Sequence, residues 1–246
     1  TTSTPKYAVG FGFTRGDGNK YRYCHFGALA NRGNMVATDV SESGLTKIEN
    51  VGALVANVTT RANENTAPNV VGSRYLQLVI TATAAQFDGG YLIVTTGTGA
   101  GFTYRVKSHT VTSAGTPVTG NIYMDLYDKV AVTIDSTSDI VIAGQIYANL
   151  EPSTTTDAVP IGATVTNNSA SSYGWVSTGG LTGVLHDISI GTVGKPIFLS
   201  SNTTGAIQCK QSATASTANE LVLPVLGYMV EAGSSADYSV VYLTLE

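Results

Sequence analysis

The stretch Arg74-Tyr-Leu-Gln-Leu-Val-Ile-Thr-Ala-Thr-Ala-Ala-Gln-Phe87 decides the fold class. Tyr75, Gln77, Val79 and Thr81 alternate with Leu76, Leu78, Ile80 and Ala82, a period of two that gathers one apolar row on one face of a strand. An amphipathic helix repeats its apolar residues every three to four positions, and this run does not. It reads as a sheet strand over a core.

Downstream the rhythm continues. Tyr91 to Thr95 and Phe102 to Lys107 are two strand-like runs joined by Thr96-Gly-Thr-Gly-Ala-Gly101, a hairpin by composition. Ile122 to Leu126 and Ile140 to Tyr147 read as further strands, with Leu126 to Ile134 as one or two helical turns. A compact β-sandwich domain over residues 71–150 is expected. Glu151-Pro-Ser-Thr-Thr-Thr-Asp-Ala-Val-Pro160 is hydroxyl-rich and opens no core-forming run until its end, so 151–158 reads as a linker. Beyond it, YGWVST, GVLHDISI, GKPIFLS, GAIQCKQ, ELVLPVLGYMVEAG and YSVVYLTLE predict a second small β-barrel or sandwich over 159–246. In the last run Tyr238, Val240, Tyr242 and Thr244 alternate with Ser239, Val241, Leu243 and Leu245, apolar enough for an interior strand.

Upstream, TRGDGNK, LANRGN, SESG and RANENTAPN punctuate residues 1–70 with turn-formers. This part reads as an extended N-terminal arm with short strands. Within it, Tyr21 to Ala30 and IENVGALVANVTT each fit a strand or a short helix. The fold class is therefore all-β: two small β-sandwich or β-barrel domains preceded by an extended arm.

Composition agrees. Of 246 residues 27 are Gly and 13 Tyr, and charged residues make up 12%, about half the usual share. A net charge of −4 gives no broad basic field, which argues against nucleic-acid binding by counterion release. No window reaches the roughly 18 apolar residues of a membrane span, and TTSTPKYAVG has no charged segment leading into an apolar one. Thr1 is consistent with removal of an initiator Met in the cytosol, which would make the sequons at Asn57, Asn167 and Asn202 incidental. Cys24 and Cys209 read as two isolated thiols rather than a disulfide framework.

Catalytic chemistry is not legible. Gly97-Thr-Gly-Ala-Gly101 has phosphate-loop glycines, but a strand follows where a helix would be needed. His25, His109 and His186 are the only histidines, and no Gly-x-Ser-x-Gly elbow accompanies them. His186 and Asp187 are neighbours, yet adjacent strand residues point to opposite faces. Asp125, Asp128, Asp135, Asp139, Asp157, Asp187 and Glu231 read mainly as turn carboxylates. Asp135-Ser-Thr-Ser-Asp139 lacks the Gly and distal Glu of a calcium loop. No enzyme activity, cofactor or metal is expected.

Two binding surfaces are. Arg15, Lys20, Arg22, His25 and Arg32, set against the single acid Asp17 and interleaved with Tyr21, Tyr23 and Phe26, suit docking on an acidic protein surface. Trp175, with Tyr173 and Tyr91, offers rings for stacking on sugars, although filling a core is the competing role for the tryptophan.

Phe87-Asp-Gly-Gly-Tyr-Leu-Ile-Val94, Gly97-Thr-Gly-Ala-Gly-Phe-Thr-Tyr-Arg-Val-Lys-Ser108 and Leu126-Tyr-Asp128 resemble structural proteins of tailed phages, especially marine and cyanobacterial ones. Tyr173-Gly-Trp175, Gly191-Thr-Val-Gly-Lys-Pro-Ile197, Gly205-Ala-Ile207 and Leu226-Gly-Tyr228 resemble the same group and, more faintly, phage head decoration proteins. The likeness spans about 71–246. It implies a virion protein made in the host cytoplasm, a capsid cement or decoration subunit. Its partners would be the major capsid protein and neighbouring copies of itself, as a homo-oligomer on the shell, with no nucleic acid or membrane. The alternative is a glycan-binding or host-attachment module on a phage tail or capsid surface.

Overall fold

The computed structural model describes residues 1–38, 66–82, 87–110, 118–153, 159–187, 191–209, 224–234 and 237–246, and among them every regular element is a β-strand. The chain forms two compact units, one from Thr1–Gly44 with Ile146–Glu246 and one from Leu45–Gln145.

The smaller unit is a five-stranded antiparallel sheet of β4 (Tyr75–Ala82), β5 (Tyr91–Thr96), β6 (Thr103–His109), β7 (Val118–Leu126) and β8 (Asp139–Ala143), in the order β4-β7-β6-β5-β8. Alternation builds its core: Leu76, Leu78, Ile80, Leu92, Val94, Tyr104, Val106, Ile122, Met124, Ile140 and Ile142 are all buried in one cluster. The hairpin expected at 91–107 is present, with Tyr91 opposite Arg105, and Gly97, Gly99 and Gly101 all adopt positive φ in its loop. A Cβ on Gly97 would collide with the Thr137 carbonyl oxygen, so that glycine is obligatory. Two details differ from expectation. Residues 127–134 form bends rather than helical turns, and Gln77, on the row opposite the apolar one, is buried, with Asn69 bonding its backbone N–H and carbonyl.

The larger unit holds a ten-stranded antiparallel sheet around one long strand, β11 (Ser172–Leu185). Its other strands are β1 (Gly12–Thr14), β2 (Lys20–Phe26), β3 (Met35–Thr38), β9 (Glu151–Pro152), β10 (Val159–Thr164), β12 (Pro196–Leu199), β13 (Ile207–Cys209), β14 (Gly227–Glu231) and β15 (Tyr238–Thr244). The main path runs β13-β12-β14-β15-β11-β10-β3-β9, and β2 pairs with β11 and carries β1 on its other edge. The first half of β11 pairs with β2 and the second half with β15. The changeover falls at Ser177–Gly180, where the β2 register shifts and Gly180 takes φ 90°. A side chain on Gly180 would collide with Asn19, whose Oδ1 accepts from the Leu181 N–H. Two buried clusters lie under this sheet: Met35, Val184, Ile197, Leu226, Met229, Val241 and Leu243 in one, and Cys24, Phe26, Val36, Leu150, Ile161 and Val176 in the other.

The N-terminal residues differ most from their reading. They are not an extended arm: β2 and β3 are integral strands, Phe26 is fully buried, and residues 2–11 are bonded to β2 and β11 through Thr2, Gly10 and Phe11. The reason is long-range pairing, because β2 meets a strand about 150 positions away and no local pattern encodes that partner. The expected linker also differs at its start, since Glu151 and Pro152 pair with Ala37 and Val36. Residues 154–158, SESG and IENVGALVANVTT lie outside the described residues.

Phe26→Ala therefore removes a core ring and is expected to cost about 3–5 kcal/mol. Urea unfolding followed by the emission of Trp175, in the same unit, measures the loss.

Candidate functional site on the larger unit

Strand alternation divides the basic-aromatic stretch 15–32 into two faces. Along β2, Tyr21, Tyr23 and His25 point one way and Arg22, Cys24 and Phe26 the other. The β11 register sets Tyr173 opposite His25 and Trp175 opposite Tyr23, and β1 sets Phe13 opposite Tyr21. One surface of β1–β2–β11 is thus almost wholly aromatic. Trp175 meets Phe13 edge-on at 4.8 Å between centroids, Tyr23 at 5.2 Å and Tyr7 at 5.4 Å. Tyr7 stacks on Phe11, and Phe13 on Tyr21. These are the offset and edge-to-face geometries that ring quadrupoles favour. Tyr23 is buried beneath, its hydroxyl accepting from the Lys6 N–H. Tyr7, Phe11 and Phe13 are exposed, and Trp175 is half-buried among them. Trp175 therefore belongs to neither buried cluster of its unit.

The opposite side of β2 holds an ion pair. Arg22 donates through Nε to both carboxylate oxygens of Glu246, at 2.9 and 2.8 Å, and through Nη1 to the Gly10 carbonyl. Tyr147 and Thr178 hydroxyls donate to the same carboxylate, at 2.7 and 3.2 Å. Gly12 makes this possible, because a Cβ there would lie 2.5 Å from Nη1 of Arg22. Partial burial opposes ionisation of Glu246, but the bonds from Arg22, Tyr147 and Thr178 prevail and hold its carboxyl below the usual range. Burial, reinforced by Glu246, pushes the Tyr147 phenol up to about 12. Burial likewise raises the Cys24 thiol. A cleft of about 450 Å³ opens beside the pair, lined by Phe13, Thr14, Lys20, Arg22 and Glu246.

The expected docking residues are accordingly not one surface. Arg15 lies exposed on the β1–β2 turn, 3.5 Å from Asp17. Lys20 borders the cleft, Arg22 is committed to Glu246, and Tyr23 is buried. Arg32 lines a different cleft of about 360 Å³ with Thr164, Thr182 and Tyr238. Of the glycan candidates, Tyr173 and Trp175 share the aromatic surface, where Tyr173 stacks on Tyr23 and meets His25. Tyr91 is exposed on β5 of the smaller unit. Tyr7, Phe11 and Phe13, the most open rings of the cluster, escaped the sequence reading. The alternation of Phe11 and Phe13 with small residues was the available signal.

Elsewhere, several of the candidate carboxylates have structural partners. Asp135 accepts from the N–H and hydroxyl of Thr137 in a turn, and Thr96 bonds Asp139. Both Cys24 and Cys209 are free and buried. His186 and Asp187 are buried on opposite sides of the chain: Asp187 takes hydroxyl bonds from Ser200 and Thr203, while burial lowers the His186 imidazole pKa. Among the described residues no three His, Cys, Asp or Glu side chains converge as a metal site, and no helix is long and apolar enough to cross a membrane. Comparison with known protein families, with curated proteins and with solved structures finds no match.

Because the Glu246 carboxyl is depressed in the folded state, its stabilising contribution is present above the unfolded value near 4.3 and is lost as pH falls through the folded value. Glu246→Gln should cost about 1 kcal/mol at pH 7. The gap between wild type and variant in urea titrations should narrow as pH falls below about 4.3 and close as it passes through the lower folded value.

Proposed function

We propose that this chain is a non-catalytic virion structural protein, a capsid cement or decoration subunit of a tailed phage that binds the outside of the shell. The observation that carries the proposal is the aromatic surface around Trp175. Three exposed rings anchored on a rigid sheet supply contact area with little side-chain entropy to lose, which is what a protein-binding surface requires. A surface poor in charge suits contacts made by rings, hydroxyls and backbone. The resemblance of the sequence motifs to tailed-phage structural proteins would make the partner the major capsid protein. Attachment would add interface area across shell subunits and so favour the assembled state.

A second reading uses the same surface. Half-exposed Phe11 and Phe13 beside a cleft bearing Lys20 and Thr14 also fit a sugar stacked on a ring with polar groups at its rim. That is a host-glycan module.

Co-sedimentation with genome-free phage shells tests the first reading. The intact chain should pellet with shells, and Phe11→Ser combined with Phe13→Ser should weaken binding about tenfold or more, equivalent to about 1.4 kcal/mol. Absence of binding by the intact, folded chain would overturn the cement reading. Quenching or enhancement of Trp175 emission by oligosaccharides would then favour the glycan module.

A further inference from the structure

The sheet of the larger unit carries a second uncovered surface, distinct from the aromatic one. On β15 the residues Ser239, Val241 and Leu243 face the core, and Tyr238, Val240 and Tyr242 face outward. Leu181 of β11 and Tyr228 and Val230 of β14 share that outer face, and the six side chains are 37% to 53% exposed. Across β11, β15 and β14 the only charged residue is Glu231, at the margin of β14. Such a face on a single chain is a docking surface rather than ordinary scatter of exposed apolar residues.

Its relief is uneven. The register places Leu181, Tyr242 and Tyr228 in one row across the three strands, a ridge of large side chains. The adjacent row is Gly183 and Val240, a trough of small ones bounded on β14 by Glu231, with Val230 in the bulge beside them. Tyr238 closes the far end of the trough, its hydroxyl bonded to the Arg32 carbonyl and its ring over Gly33. A two-fold axis between the rows sets the ridge of one copy into the trough of another, at the roughly 10 Å spacing of stacked sheets.

We propose that this face binds a second copy of the chain as an isologous dimer. Area and charge point the same way. The six side chains expose about 500 Å² per copy, in the range of functional patches. Two copies bury about 1,000 Å², the lower bound for a specific interface, so the dimer is reversible rather than obligate. A chain of net charge −4 meets its like here with a single acid per copy on the face, Glu231 of β14 opposite Val240, so little like charge is brought together.

Sedimentation velocity on the full chain between about 1 and 200 μM, spanning the affinities of weak specific pairs, tests the proposal. The sedimentation coefficient should rise with concentration toward that of a dimer. Tyr242→Lys and, on another strand, Leu181→Glu should each raise the dissociation constant at least tenfold, with Trp175 emission checking the fold. A monomer throughout the range overturns the proposal, as does association that both variants leave unchanged. Amide exchange on the unmodified chain supplies a measurement free of substitution. Concentrating it should slow exchange in Tyr228–Glu231 and Tyr238–Thr244 relative to β2, and equal slowing in β2, or none, contradicts the assignment.

Discussion

Backbone pairing along β11 is the constraint on which the larger unit depends. Fourteen residues of one strand bond β2 on one edge and, in succession, β10 and β15 on the other, and among the described strands none gathers as many partners. Two strands can share one edge only if the strand turns between them. Gly179 and Gly180 supply that turn, with Asn19 filling the space that the missing side chain of Gly180 leaves. Below the bend β11 presents Tyr173 and Trp175 to the aromatic surface. Above it the same strand presents Leu181 to the other uncovered face. The position of the bend therefore sets where each surface lies.

Ordering so much sheet costs conformational entropy, which apolar burial must offset. The larger unit meets this with two buried clusters on either side of the bend, and the N-terminal residues supply Phe26, Cys24, Val36 and Met35 to them. Arg22 and Glu246 then join β2 to the end of β15, two strands on opposite edges of β11. Because β1 and residues 2–11 rest on β2, the exposed rings of Tyr7, Phe11 and Phe13 are held by a sheet rather than by a loop.

Legibility in the sequence followed the range of the contacts. Leu76, Leu78 and Ile80 disclosed β4, and the glycines at 97–101 disclosed the β5–β6 hairpin, because both signals lie within a dozen residues. The alternation of Tyr238, Val240 and Tyr242 with Ser239, Val241 and Leu243 was visible too, but not that the first row faces outward, because both rows are apolar enough to be covered. Tyr21–Phe26 was ambiguous because both of its faces are nonpolar: rings on one side, Cys24 and Phe26 on the other. Nothing nearby announces its partner at Ser172–Ser177, and grouping by sequence neighbourhood placed Arg22 beside Tyr23 although the pleat turns them apart. Trp175 and Tyr173 were identified singly, while the rings that surround them come from residues 7–23 and became a site only through register.

Lys20–Phe26 and Met35–Thr38 are strands of the larger unit on which its surfaces are built. Hydrogen–deuterium exchange of the intact chain, resolved by peptide, tests it most directly. Tyr21–Phe26 and Met35–Thr38 should exchange slowly, with protection close to that of Trp175–Leu185 and Val241–Leu243. Rapid exchange of Tyr21–Phe26 while Trp175–Leu185 stays protected would contradict the account.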